Sequence, residues 1–143
     1  MKNTSVNSLM KEQPVLISPD ATLQEAARKM KETDCGFLPV GNNQKPEGII
    51  TDRDIIIRAI ADGKDPTKEK VRHYMTTEVH SCHEGDSIED AAGQMNKKKV
   101  GRLVVQDDDG KMRGVLTFGR LIRDNKDKEE TSMVVEKATG KAA

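Results

Sequence analysis

Thr22-Leu23-Gln24-Glu25-Ala26-Ala27 and Ser87-Ile88-Glu89-Asp90-Ala91-Ala92 stand 65 residues apart and share one pattern. Each opens on a hydroxyl residue with an acidic residue three places on, the form of a capped helix start. Behind them Leu23, Ala26, Ala27 and Met30, and Ile88, Ala91, Ala92 and Met95, fall at i, i+3, i+4 and i+7. That spacing predicts one narrow apolar stripe on each helix. Working outward at the same offset, Val6-Asn7-Ser8-Leu9-Met10 falls on Val71-Arg72-His73-Tyr74-Met75. Gly36, Leu38 and Val40 fall on Gly101, Leu103 and Val105. One residue enters the next turn, after which Gly48-Ile49-Ile50-Thr51 matches Gly114-Val115-Leu116-Thr117, and Ile55-Ile56 matches Leu121-Ile122. A register kept over about fifty residues with one insertion marks an internal duplication.

The duplication divides the chain into an N-terminal tail (1–5), a first repeat (6–61), a polar Gly/Pro-marked linker (62–70), a second repeat (71–124) and a C-terminal tail (125–143). The tail's one apolar cluster is Met133-Val134-Val135, so it is expected to be flexible, or a helix that orders only against a partner. In each repeat a strand-like segment (Phe37–Val40, Leu103–Gln106) runs through a polar turn into a second (Gly48–Thr51, Gly114–Thr117). A helix then carries Ile55, Ile56, Ala59 and Ile60, or Leu121 and Ile122. The order per repeat is β-α-β-β-α, an α/β (α+β) class. Three strands with two helices on one face leave the other sheet face bare, so the two repeats are expected to pack sheet to sheet with pseudo-two-fold symmetry.

Composition narrows the function. The 143 residues carry 24 Lys+Arg against 24 Asp+Glu, a net charge of zero that argues against a whole-chain nucleic-acid or membrane-surface binder. Phe37, Phe118 and Tyr74 are the only aromatics, too few for a base-stacking platform. Cys35 and Cys82 do not make a disulfide framework. No apolar run approaches the ~18 residues of a membrane span, and the first ten residues lack the apolar stretch of a secretory signal. A cytoplasmic protein is expected. Nucleophile–base pairs, phosphate-cradling glycine loops and clustered carboxylates are all missing from the spacing, so no enzyme is expected.

Thr51 and Asp54 sit at a strand-to-helix corner. A carboxylate there suits ribose hydroxyls, and a hydroxyl with adjacent N–H groups suits phosphate. Thr51-x-x-Asp54 is also a capping box in form, and on the residues alone both readings stand. The second repeat reads Thr117-Phe118-Gly119-Arg120, and an arginine only donates, so one competent corner per chain is expected. Arg120 is left to reach a phosphate or to pair with a carboxylate. His80-Ser81-Cys82-His83 raises a metal site, yet a closed zinc site takes four ligands and the chain has no Cys-x-x-Cys. The expected reading is a buried strand Cys82 beside an exposed His83, with no metal. Lys97-Lys98-Lys99 reads as a solvated helix end.

Taken in order and twice over, these pieces resemble a tandem cystathionine β-synthase (CBS) domain pair across roughly 6–124. The residues that carry the resemblance are Met10 and Met75, Ile17-Ser18-Pro19-Asp20-Ala21-Thr22-Leu23, Gly36-Phe37-Leu38-Pro39-Val40 and Gly48-Ile49-Ile50-Thr51-Asp52-Arg53-Asp54. Thr51–Arg58, with Gly63-x-Asp65-Pro66 after it, is similar to small stand-alone bacterial members, hypoxic response proteins among them. The resemblance implies a stand-alone regulatory module that binds an adenosyl ligand (AMP, ADP, ATP or S-adenosylmethionine) in the cleft between repeats. It implies signalling through a change in repeat or dimer orientation, a homodimer, and an effector protein not yet identified. Carried onto matching positions, it sets Asp54 at the ribose, Thr51 at the phosphate and Val79 and His80 against the base. It places Gly101 and Arg102 near ribose and phosphate, and Ile49 on the floor. The alternatives are a redox or zinc sensor using Cys35, Cys82 and His80, and a ligand-free dimerisation module.

Overall fold

The computed structural model describes residues 4–12, 16–42 and 45–140. Along the chain the elements are a 3-10 turn (Val6–Ser8), β1 (Lys11–Glu12), α1 (Leu23–Thr33), β2 (Phe37–Val40), β3 (Gly48–Thr51), a π-helix (Asp54–Ile60), a second 3-10 turn (Val71–His73), β4 (Ser81–His83), α2 (Ile88–Lys98), β5 (Arg102–Gln106), β6 (Met112–Thr117), α3 (Phe118–Arg123) and α4 (Lys128–Thr139). They form two compact units, Val15–Val79 and Met1–Pro14 with His80–Ala143. Each unit therefore joins the body of one repeat to the leading segment of the other.

In the unit Val15–Val79, the capping box predicted at Thr22 is complete. Glu25 N–H donates to Thr22 Oγ1 at 3.1 Å and Thr22 N–H donates to Glu25 Oε2 at 2.8 Å. Helix α1 ends where Asp34 turns left-handed at φ 51°. Strands β2 and β3 pair antiparallel, Phe37 facing Thr51 and Val40 facing Gly48. Single bridges extend the pair on both sides, Ile17 parallel to Val40 and Thr76 antiparallel to Ile49. Leu23, Ala26, Met30, Leu38, Val40, Ile50, Ile55, Ala59 and Val71 form one core.

In the other unit the sheet has four strands in the order β1-β6-β5-β4. The sequence pattern predicts three. The fourth is the leading segment, whose Lys11 faces Val115 as Thr76 faces Ile49. Both pairings need a glycine next door. A Cβ on Gly114 would meet the Lys11 carbonyl oxygen at 2.4 Å, and one on Gly48 the Thr76 carbonyl oxygen at 2.7 Å.

The 65-residue offset survives in the hydrogen bonds. Val6 N–H donates to the Asp86 carbonyl and Val71 N–H to the Ala21 carbonyl, both at 2.8 Å. Ile88 N–H donates to the Thr4 carbonyl and Leu23 N–H to the Glu69 carbonyl, both at 2.9 Å. Each bond ties the leading segment of one repeat to the helix start of the other.

Two helices fill in what the sequence pattern left open. The helix after β3 is a π-helix, closed by Ala61 N–H donating to the Ile56 carbonyl five residues back. Its wider turn sets Ile55 and Ala59 inward and leaves Ile56, Ile57 and Ile60 exposed. The C-terminal tail forms α4 and packs on α2 and α3 of its own chain, with Val134 fully buried. Glu130 anchors it, accepting from Thr4 N–H at 3.1 Å, Thr4 Oγ1 at 2.6 Å and Asn125 Nδ2 at 2.8 Å. That cover buries Ala92, while its counterpart Ala27 on α1 stays exposed.

Candidate functional site

At the end of β3 the chain turns into the π-helix, and Thr51 and Asp54 clasp each other across the corner. Asp54 N–H donates to Thr51 Oγ1 at 3.1 Å, and Thr51 N–H donates to Asp54 Oδ2 at 2.9 Å. The capping box is therefore real. It occupies one carboxylate oxygen only. Asp54 Oδ1 faces Arg58 Nη1 at 3.9 Å, beyond hydrogen-bond length, and the Asp54 side chain keeps 18% of its surface exposed. Oδ1 therefore has acceptor capacity left for a ligand hydroxyl. Asp52 packs against Gly36, where a Cβ would lie 2.3 Å from Asp52 Oδ2, and Asp52 N–H donates to the Gly36 carbonyl at 2.9 Å.

Of the residues expected to bind ligand, Ile49, Thr51, Asp54 and Val79 lie in the unit Val15–Val79, and His80, Gly101 and Arg102 in the other. Ile49 is buried on β3; Val79 and His80 are half-buried; Gly101 and Arg102 are exposed. Within its unit Arg102 faces Thr117, and Phe118 N–H donates to the Gly101 carbonyl at 2.9 Å. A Cβ on Gly101 would meet nothing within 4 Å. Gly101 also lines a cleft of about 120 Å³ with Met95, Val100, Phe118, Ala138 and Thr139. Binding pockets for drug-sized ligands run to ~300–1,000 Å³, so this cleft does not hold a nucleotide.

The second corner matches the first in backbone and differs in charge. Arg120 N–H donates to Thr117 Oγ1 at 3.2 Å, as Asp54 does to Thr51. Arg120 Nε donates to the Leu9 carbonyl at 2.7 Å and lies 3.3 Å from Asp124 Oδ2, so the carboxylate pairing foreseen for it is what the structure holds. Spacing alone missed Arg58 and Tyr74 at the first corner. The i, i+4 pair Asp54–Arg58 was the signal available for Arg58.

The His80–His83 stretch separates chemically. Cys82 is buried on β4, and burial, with the Asp86 carboxylate nearby, pushes its thiol up to about 12. His83 Nδ1 accepts from Gly85 N–H at 3.0 Å, which leaves its Nε2–H to donate to Asp108. Among the described residues no group of three or more His, Cys, Asp or Glu side chains could hold a metal ion. Among them also no helix is long and apolar enough to cross a membrane.

Comparison with known proteins places this architecture. The CBS domain profile matches residues 6–60 and 71–126. A CBS domain-containing protein of Bacillus subtilis is 36% identical over 82% of this chain and 83% of its own length. An uncharacterized protein of Methanopyrus kandleri is 32% identical over 86% of this chain, which spans 63% of that protein. Among solved structures, hypoxic response protein I with two coordinated zinc ions superposes with a TM-score of 0.71 at 27% identity, covering 85% of this chain and 99% of that one. CBSX2 in complex with AMP superposes at 0.68 and 25% identity, covering 85% and 95%. The CBS domain pair of protein MJ0100, in complex with 5′-methylthioadenosine and S-adenosyl-L-methionine, superposes at 0.74 and 26%, covering 85% and 95%. With both repeats matched, the chain belongs to the CBS domain family and carries two copies of the domain.

Proposed function

We propose that this chain is a regulatory CBS pair, not an enzyme, that binds one adenosyl ligand per chain at the Thr51–Asp54 corner. The observation that carries the reading is Asp54. One oxygen holds the helix start while the other, 3.9 Å from Arg58, stays available to a ribose hydroxyl. Ile49 and Val79, of the same unit, belong to the same proposal. AMP, ADP, ATP and S-adenosylmethionine are the candidates, supported by the AMP and S-adenosyl-L-methionine complexes of similar structures. The signal is a population shift: ligand favours one arrangement of the repeats or of a homodimer, which an effector protein in the cytoplasm reads.

A thermal-shift panel with the four ligands tests this. At about 100 times its Kd a ligand stabilises by ~2.7 kcal/mol, several degrees for a chain this size. A shift that disappears in Asp54→Ala supports the reading, and no shift with any of the four removes it.

The zinc-bound structure of hypoxic response protein I supports a second reading, a zinc or redox sensor using Cys35, Cys82 and His80. Elemental analysis decides it: stoichiometric zinc supports that reading, and zinc below a tenth of the protein, by about an order of magnitude, removes its metal form.

A further inference from the structure

We propose that Arg58 is a positioning residue that couples occupancy of Asp54 to the backbone of Val71–Thr76. This rests on the ligand reading above and supplies the route by which binding leaves the site. Arg58 Nη1 donates to the Tyr74 carbonyl at 2.6 Å and faces Asp54 Oδ1 at 3.9 Å. One guanidinium nitrogen thus links the candidate carboxylate to a segment 16 residues further along the chain.

The other unit builds the same link from different positions. Leu9, the counterpart of Tyr74, has its carbonyl held by Arg120 Nε at 2.7 Å, and Asp124 Oδ2 stands 3.3 Å from that nitrogen. Arg120 occupies the place of Asp54 and Asp124 the place of Arg58, so the charges are transposed along the helix. The chain of carbonyl, guanidinium and carboxylate is kept. A link reached from two different sequence positions answers to a need of that carbonyl. What the transposition changes is the carboxylate: Asp54 caps the corner itself, whereas Asp124 stands four residues beyond it at the C-cap of α3.

A hydroxyl that donates to Asp54 Oδ1 draws on the carboxylate charge that faces Arg58 across 3.9 Å and so weakens that ion pair. The guanidinium is then held chiefly by the Tyr74 carbonyl, to which Nη1 already donates at 2.6 Å. That carbonyl belongs to a turn in which Tyr74 and Met75 N–H donate to the Val71 carbonyl, both at 2.9 Å, and Thr76 N–H donates to the Ile49 carbonyl at 2.8 Å. The chain leaves the unit at Val79, three residues after that pairing.

Hydrogen exchange on the full chain, with and without saturating AMP, tests the proposal, with occupancy read separately by titration. In wild type the amides of Tyr74, Met75 and Thr76 slow about fivefold on binding, the lower end of site-to-site coupling. In Arg58→Gln, and in Arg58→Lys should the first variant fold poorly, AMP still binds and the slowing is lost. A merely structural Arg58 would lower the melting temperature and leave the AMP-dependent slowing in place, which overturns the proposal. Wild type that binds AMP with no change at 74–76 overturns it as well. Failure of wild type to bind AMP appears in the titration and removes the AMP form of the ligand reading together with this inference.

Discussion

Replacing Glu130 by alanine cuts the anchor of the C-terminal helix. Glu130 is 4% exposed, and its carboxylate takes three hydrogen bonds from neutral donors, two on Thr4 and one on Asn125. Hydrogen bonds to a charged acceptor are worth about 1.5–3 kcal/mol each, and the cost of burying the charge offsets a large part. A net loss of about 3 kcal/mol is expected, or roughly 6–12 °C for a chain of this length. The sign of the pH dependence follows from the same contacts. Burial raises the Glu130 pKa, but the Thr4 and Asn125 donors outweigh it and hold the carboxyl below its ordinary value. The stabilisation is therefore complete above the unfolded value of about 4.3 and is lost as pH falls through the lower native value. Urea unfolding of wild type and Glu130→Ala between pH 3 and 7 measures both effects. A variant within about 0.5 kcal/mol of wild type at pH 7 would refute the anchor.

Gly114→Ala should lose roughly 2–4 kcal/mol by forcing β1 off β6, while Gly101→Ala stays within about 0.5 kcal/mol, since its Cβ meets nothing; equal losses in denaturant titrations would contradict the strand register. Arg120→Ala should cost about 1–2 kcal/mol through the Leu9 carbonyl yet leave ligand affinity unchanged; an affinity loss in calorimetry would place ligand at the second corner. At pH 8 an alkylating reagent should modify Cys35 well before Cys82, whose buried thiol titrates near 12. That raised value also predicts a contribution to stability that is present below about pH 9 and fades as pH rises toward 12. Equal modification rates by mass spectrometry would refute the burial of Cys82.

The parts of the fold set by local chemistry were legible. Thr22 and Ser87 announce their helices because a cap needs only neighbours three residues away, and both side chains accept the expected N–H. Parts set by distant contacts were not. Nothing near Ile55-Ile56-Ile57 distinguishes a π-helix from an α-helix, because the choice depends on which residues the sheet lets inward. The leading segments read as parts of their own repeats, yet Val6 and Val71 bond across to Asp86 and Ala21. Ala27 and Ala92 read alike, yet Ala92 is buried on the helix that α4 packs against and Ala27 stays exposed. At the site, the spacing of Thr51 and Asp54 gave the corner but left cap and ligand as rivals. The geometry shows one carboxylate oxygen serving as cap and the other with capacity to spare.

Asp54→Asn exploits that division, because an asparagine oxygen still caps Thr51 N–H while an amide replaces the second acceptor. Calorimetric titration of AMP, ADP, ATP and S-adenosylmethionine into wild type and this variant therefore tests the central claim most directly. The account predicts one site per chain for at least one ligand, weakened at least about tenfold in Asp54→Asn by loss of the ribose contact, with the melting temperature of the free protein nearly unchanged. Undiminished binding in the variant, or no binding to wild type, would contradict it and leave Thr51 and Asp54 as a helix cap alone.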